Sequence, residues 1–155
     1  MEKLRENIIS QSMTRLEKIL TDLEIEYKQV NSDDDLIYIA NIYMDLLPDK
    51  NIPARVLLLY SSDNKDMFVM CPNIYKLKVG DTTLRILVAL NKVNSKLSGG
   101  TVTLEEDKTI VYKRLVHFER TDSLNKLKLE NIFNDVMASI IYTAEAILNT
   151  GELHE

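Results

Sequence analysis

The sequence predicts a single α+β domain. Its mainly antiparallel, twisted sheet carries three helices in the order α-β-β-β-β-α-β-β-α. Three observations lead there. Long stretches near both ends place apolar residues three and four apart with no proline inside, the spacing of one helical stripe. Runs of β-branched and aromatic residues follow one another across short polar turns, as in an antiparallel sheet. The length of 155 residues suits one core. That core is expected to span residues 1–150, with 151–155 a frayed tail.

The first helix is expected from Glu2 to Leu23, where Leu4, Ile8, Met13, Leu16, Ile19, Leu20 and Leu23 form the stripe. "IEYKQV" (Ile25–Val30) reads as a strand, "NSDDD" as a turn, and "LIYIANIYM" (Leu36–Met44) as a long strand. Pro48 and Pro53 make "LLPDKNIPA" a loop, since proline lacks the donor both helix and ladder need. "RVLLLY" (Arg55–Tyr60) and "MFVMC" (Met67–Cys71) read as strands, the second closed by Pro72. The second helix is expected over Thr82–Leu97. Asp81 or Thr82 caps its start, and Gly99 and Gly100 stop it through the left-handed conformation. "TVTLE" and "TIVYKRLVHF" form a hairpin across "EDK". The third helix is expected over Ser123–Leu148, with Asp122 and Ser123 as capping candidates and Gly151 as its stop. Its wide apolar arc, including Ile132, Phe133, Val136 and Ile140, suits a central pillar.

The middle strands are apolar on both sides. Along Leu36–Met44, Leu36, Tyr38, Ala40, Ile42 and Met44 face one way, and Ile37, Ile39 and Tyr43 the other. Six strands make a sheet about 29 Å wide, and three helices about 10 Å across cover one face of it. Apolar surface is left over. A second copy of the chain is expected to cover part of it, through the second helix or the outer sheet face, with Ile37, Ile39 and Tyr43 as partner-contacting candidates. A strongly coiled sheet that closes a monomeric core is the alternative.

Composition excludes several classes of function. A net charge of −5 gives no general attraction for phosphate backbones, so no nucleic-acid partner is expected. The most apolar runs, "RVLLLY" and "RILVALN", are too short for a bilayer, so no membrane partner is expected. A single cysteine, Cys71, excludes an internal disulfide. With a start, "MEKLRENIIS", that mixes acids and bases, this points to the cytoplasm.

Catalytic chemistry has no visible centre. His117 and His154 lack partners at metal-ligand spacing, and four glycines build no phosphate-cradling loop. Asp33, Asp34 and Asp35, and likewise Glu105, Glu106 and Asp107, read as solvated turns. Cys71 reads as a buried, inert thiol, since no cationic neighbour lowers its pKa. The chain is therefore expected to be non-enzymatic, with no cofactor and no metal. Arg114 shares a strand face with Ile110, Tyr112 and Val116. It either snorkels at the sheet margin or pairs with a carboxylate of a partner.

Two asparagines mark the second helix. Ile86, Leu90, Val93 and Leu97 centre its stripe, Asn94 borders it, and Asn91 lies beyond its edge. A buried amide must find partners or costs about 1–3 kcal/mol. Asn94 is expected to clamp the helix-to-strand corner at Gly99–Gly100, or else to contact a ligand.

The stretch "ALNKVNSKLSGGTVTLEEDKTIVYKRL" resembles the helix–hairpin signature of the YbjN-type family of bacterial sensory transduction regulators. The shared pattern is Leu90-Asn91-x-x-Asn94, a glycine turn, a strand, an acidic turn and a second strand, which covers under a third of the chain. That family shares its fold with class I type III secretion chaperones, of order α-β-β-β-α-β-β-α, one strand fewer than expected here. The resemblance implies a homodimeric, non-enzymatic fold, which secretion chaperones of this shape use to bind extended segments of a client. With the doubly apolar strands, a homodimeric module that engages a polypeptide client is expected here. A small-molecule sensor with a pocket between the sheet and the second helix, lined by Asn91 or Asn94, is the alternative.

Overall fold

The computed structural model describes residues 16–31, 36–42, 54–60, 66–78, 82–117 and 124–152. The described part of helix α1 covers residues 16–22. The strands are β1 (Glu26–Asn31), β2 (Leu36–Ile42), β3 (Ala54–Tyr60) and β4 (Asp66–Lys76). Helix α2 (Thr83–Lys96), strands β5 (Thr101–Leu104) and β6 (Thr109–His117), and helix α3 (Lys126–Glu152) follow. The expected α+β order holds. Among the described residues all pairings are antiparallel, in one six-stranded sheet of order β1-β2-β3-β4-β6-β5. Four strands succeed one another as neighbours. The chain then crosses over through α2, forms β5 at the sheet edge, and returns as β6 beside β4.

Side chains from one sheet face and from all three helices merge into a single core. It joins Leu16 and Leu20 of α1, Ile86, Leu90 and Val93 of α2, and Leu129, Ile132, Phe133 and Val136 of α3 to Tyr38, Leu58, Val69 and Tyr112 of the sheet. Each fully buried side chain of this size contributes about 1.5–3 kcal/mol. Tyr38 is fully buried, meets the Tyr27 ring edge-on at 6.0 Å, and donates its hydroxyl to Glu17 at 3.3 Å. The polar tip of a buried ring thus keeps a partner. Helix α1 ends through Glu24, whose φ of 58° lets the amides of Glu24 and Ile25 reach back to the carbonyls of Thr21 and Leu20.

Several local expectations are corrected. Strand β4 does not stop at Pro72 but continues to Lys76. The register with β6 shifts between Cys71 and Tyr75, and this bulge takes Pro72 out of the ladder, where its missing N–H is harmless. Thr82 occupies the N-cap position of α2, but its side chain makes no capping hydrogen bond. Helix α3 begins later than Ser123. Asn125 accepts from the Lys128 amide at 2.8 Å and is its cap, while Asp122 and Ser123 lie outside the described residues. Helix α3 also runs through Gly151 to Glu152, because a glycine near a helix end can equally well stay helical. Residues 153–155 of the expected frayed tail, and Asp33, Asp34, Asp35 and Tyr43, lie outside the described residues.

Candidate functional site

The corner between α2 and β5 is held by side chains that reach backbone. Asn94 donates its amide to the Val102 carbonyl at 3.1 Å, and its side-chain oxygen accepts the Val102 N–H at 2.7 Å. Both halves of the amide are thereby used on the first residues of an edge strand. Asn91 points to solvent. Ile86, Leu90 and Val93 pack between α2 and the sheet.

Gly99 and Gly100 act by lacking a side chain. Helix α2 has already ended at Leu97, whose φ of −81° and ψ of 147° are extended, so no left-handed glycine stops it. A Cβ on Gly99 would meet the Arg114 guanidinium at 2.6 Å, and one on Gly100 would run into the Tyr112 ring. The two glycines let β6 side chains lie flat on the turn.

Those side chains converge on Asp135 of α3, which the sequence reading did not single out. One carboxylate oxygen accepts from the Ser98 amide at 2.7 Å and the Ser98 hydroxyl at 3.0 Å. The other accepts from the Gly100 amide at 2.8 Å and the Tyr112 hydroxyl at 2.6 Å. Burial opposes the charge on Asp135. The hydrogen bonds from Tyr112, Ser98 and Gly100 outweigh it and hold the carboxyl below the usual range. Burial, with Asp135 alongside, pushes the Tyr112 hydroxyl up in turn. Arg114 lies on the core face of β6 with its side chain 21% exposed. Its Nη1 lies 3.7 Å from Asp135 of its own chain. A carboxylate this committed has no lone pair left to work as a base, and its place at the joint of α3, the glycine turn and β6 makes it a structural hub. The signal for it in the sequence was an acid three residues after Ile132 on the apolar arc of α3.

Four other titratable groups among the described residues are buried or have a partner nearby. Burial pushes the Cys71 thiol up to about 12. His117 is exposed at the end of β6 and lies 2.6 Å from Asp66. In the β5–β6 turn, Glu105 contacts Lys113 at 2.5 Å and accepts from Thr103, and Asp107 accepts from the Thr109 amide and hydroxyl. Among the described residues, no three metal-ligating side chains cluster, and no helix is long and apolar enough to cross a membrane.

The face of the sheet opposite the helices is the candidate interaction site. Register places Val30, Ile37, Leu59, Phe68 and Leu115 in one continuous row across five strands. The next row along the strands runs Lys28, Ile39, Leu57, Met70 and Lys113. None of these residues belongs to the core cluster; Leu115 is 66% exposed, Val30 is exposed at the other end of the row, and the apolar residues between are half-buried. Ile37 and Ile39, two of the sequence-derived candidates, sit side by side in this patch. Arg114 does not, being on the core face. With about 4.8 Å between strands and about 6.8 Å between same-face neighbours, the apolar members cover on the order of 300 Å². Lysines 28 and 113 give the second row a charged rim.

No protein-family model and no curated protein matches this chain. Solved structures that share its fold include the following two. An uncharacterized protein from Methanothermobacter thermautotrophicus superposes with a TM-score of 0.62 at 11% identity, covering 90% of this chain and 98% of that one. YbjN from E. coli, described as a candidate transcription regulator, superposes with a TM-score of 0.52 at 10% identity, covering 89% and 93%. The chain therefore has a YbjN-like fold, and likeness at this identity concerns the fold alone.

Proposed function

We propose that this chain, built on a YbjN-like fold, is a non-enzymatic adaptor that pairs with a second copy of itself through the sheet face opposite the described helices and engages polypeptide clients as a dimer. The observation that carries this reading is the five-strand row Val30, Ile37, Leu59, Phe68 and Leu115, which lies outside the core. A sheet face left in water is normally polar, because strands then alternate apolar and polar residues, and this row is apolar throughout. The apolar patch is smaller than the roughly 800 Å² per partner of a stable interface, so the Lys28 and Lys113 rim has to be buried with it. Clients then meet an assembled surface rather than a single chain. The YbjN-like neighbours fit a regulator or adaptor role without specifying it.

Light scattering on the purified chain tests the pairing. The expected mass is that of a dimer, and Leu115→Glu, at an exposed position, is expected to shift it to the monomer with the circular dichroism unchanged. A native chain that stays monomeric at high micromolar concentration would refute the proposal.

A further inference from the structure

The outer side of the helical layer carries a second apolar feature, separate from the sheet face opposite the described helices. Helix α2 turns Ile86, Leu90 and Val93 inward, yet Leu84 is 70% and Val88 51% exposed. These two lie four apart and form one ridge along the helix. The ridge walls a groove of about 460 Å³, with Tyr142 and Ala146 of α3 on the far side and Ala89 and Val93 at its base.

The charges around the groove are one-sided. Arg85, Lys92 and Lys96 line it, and Glu145 is the one carboxylate among its described lining residues. In a chain of net charge −5 this is a local reversal of sign. Lys96 is held in place, its ammonium 5.3 Å from the centre of the Tyr142 ring.

We propose that the groove between α2 and α3 receives an acidic amphipathic helix from a partner protein. Apolar side chains at helical spacing would fill the space beside Leu84 and Val88, and flanking carboxylates would meet Arg85, Lys92 and Lys96. From Arg85 to Lys96 the groove extends about 16 Å, three turns of helix. A helix satisfies its own backbone hydrogen bonds, whereas an extended segment needs a sheet edge, which two packed helices do not supply. The proposal does not depend on pairing through the sheet face.

Selection from a display library of random peptides about 16 residues long, against the full chain, tests it. Such a peptide spans three helical turns with flanks to spare. Enriched peptides are expected to place Asp or Glu beside apolar residues spaced three and four apart. They should bind at least tenfold more weakly to Val88→Glu and to the Lys92→Glu/Lys96→Glu double variant. Both substitutions fall on exposed positions, and circular dichroism checks that the fold is kept. Binding to Leu115→Glu should be unchanged, which separates this site from the sheet face. No enrichment, winners without acidic bias, or equal binding to Val88→Glu would each overturn the proposal.

Discussion

Asp135 and Tyr112 share a 2.6 Å hydrogen bond that joins α3 to β6 beneath the Gly99–Gly100 turn. Both groups are buried, and the same carboxylate also takes the amides of Ser98 and Gly100. Removing the acid strands three sets of donors at once. Asp135→Ala is expected to lower stability in urea by about 3 kcal/mol, and Tyr112→Phe by about 1 kcal/mol.

The same carboxylate makes stability depend on acidity in a definite direction. Its folded pKa lies below the unfolded value. Its contribution is therefore fully present above the ordinary aspartate pKa and is lost as pH falls through the depressed folded value. Stability measured from neutral to strongly acid pH should fall more steeply for the native chain than for Asp135→Asn. Parallel curves would remove Asp135 from the account of acid sensitivity.

The asparagine pair separates structure from surface. Asn94 uses both ends of its amide on Val102, and Asn91 is exposed. Asn94→Ala should destabilise by about 2 kcal/mol, with hydrogen exchange of the Val102 amide accelerated. Asn91→Ala should stay within about 0.5 kcal/mol of the native chain.

Adjacent glycines should respond differently to a methyl group. At Gly100 the obstacle is the ring of fully buried Tyr112. At Gly99 it is the guanidinium of Arg114, whose side chain is 21% exposed and can swing outward. Gly100→Ala is expected to cost about 3 kcal/mol, an overpacking value, and Gly99→Ala less than half of that. Thermal unfolding of the two variants gives the order directly.

Cys71 is buried at 2% exposure, and burial pushes its thiol up to about 12. Only the thiolate reacts. Alkylation in the folded protein at neutral pH should be slower than in urea by more than a hundredfold, and should follow the unfolding rate rather than reagent concentration.

Much of this molecule was legible from local pattern. The apolar spacing of α2 and α3, the runs of β-branched residues and the polar turns set the elements, their order and their antiparallel class. Asn94 stood out because an amide beside an apolar stripe needs partners. Pro72 misled, because proline bars a ladder hydrogen bond only where the ladder is regular, and a bulge is a product of the pairing with β6. The role of the two glycines was misjudged for a similar reason. Their conformation is a local property, but the ring and guanidinium lying on them come from β6.

The sequence by itself determined that the middle strands are apolar on both sides. Only the tertiary structure decided which side became core, that Arg114 would meet Asp135 within its own chain, and that Val30, Ile37, Leu59, Phe68 and Leu115 would line up as one row. Periodicity is a short-range property of the chain, repeated every two or three to four residues. Register and helix packing depend on contacts between residues distant in sequence, and no local spacing encodes them.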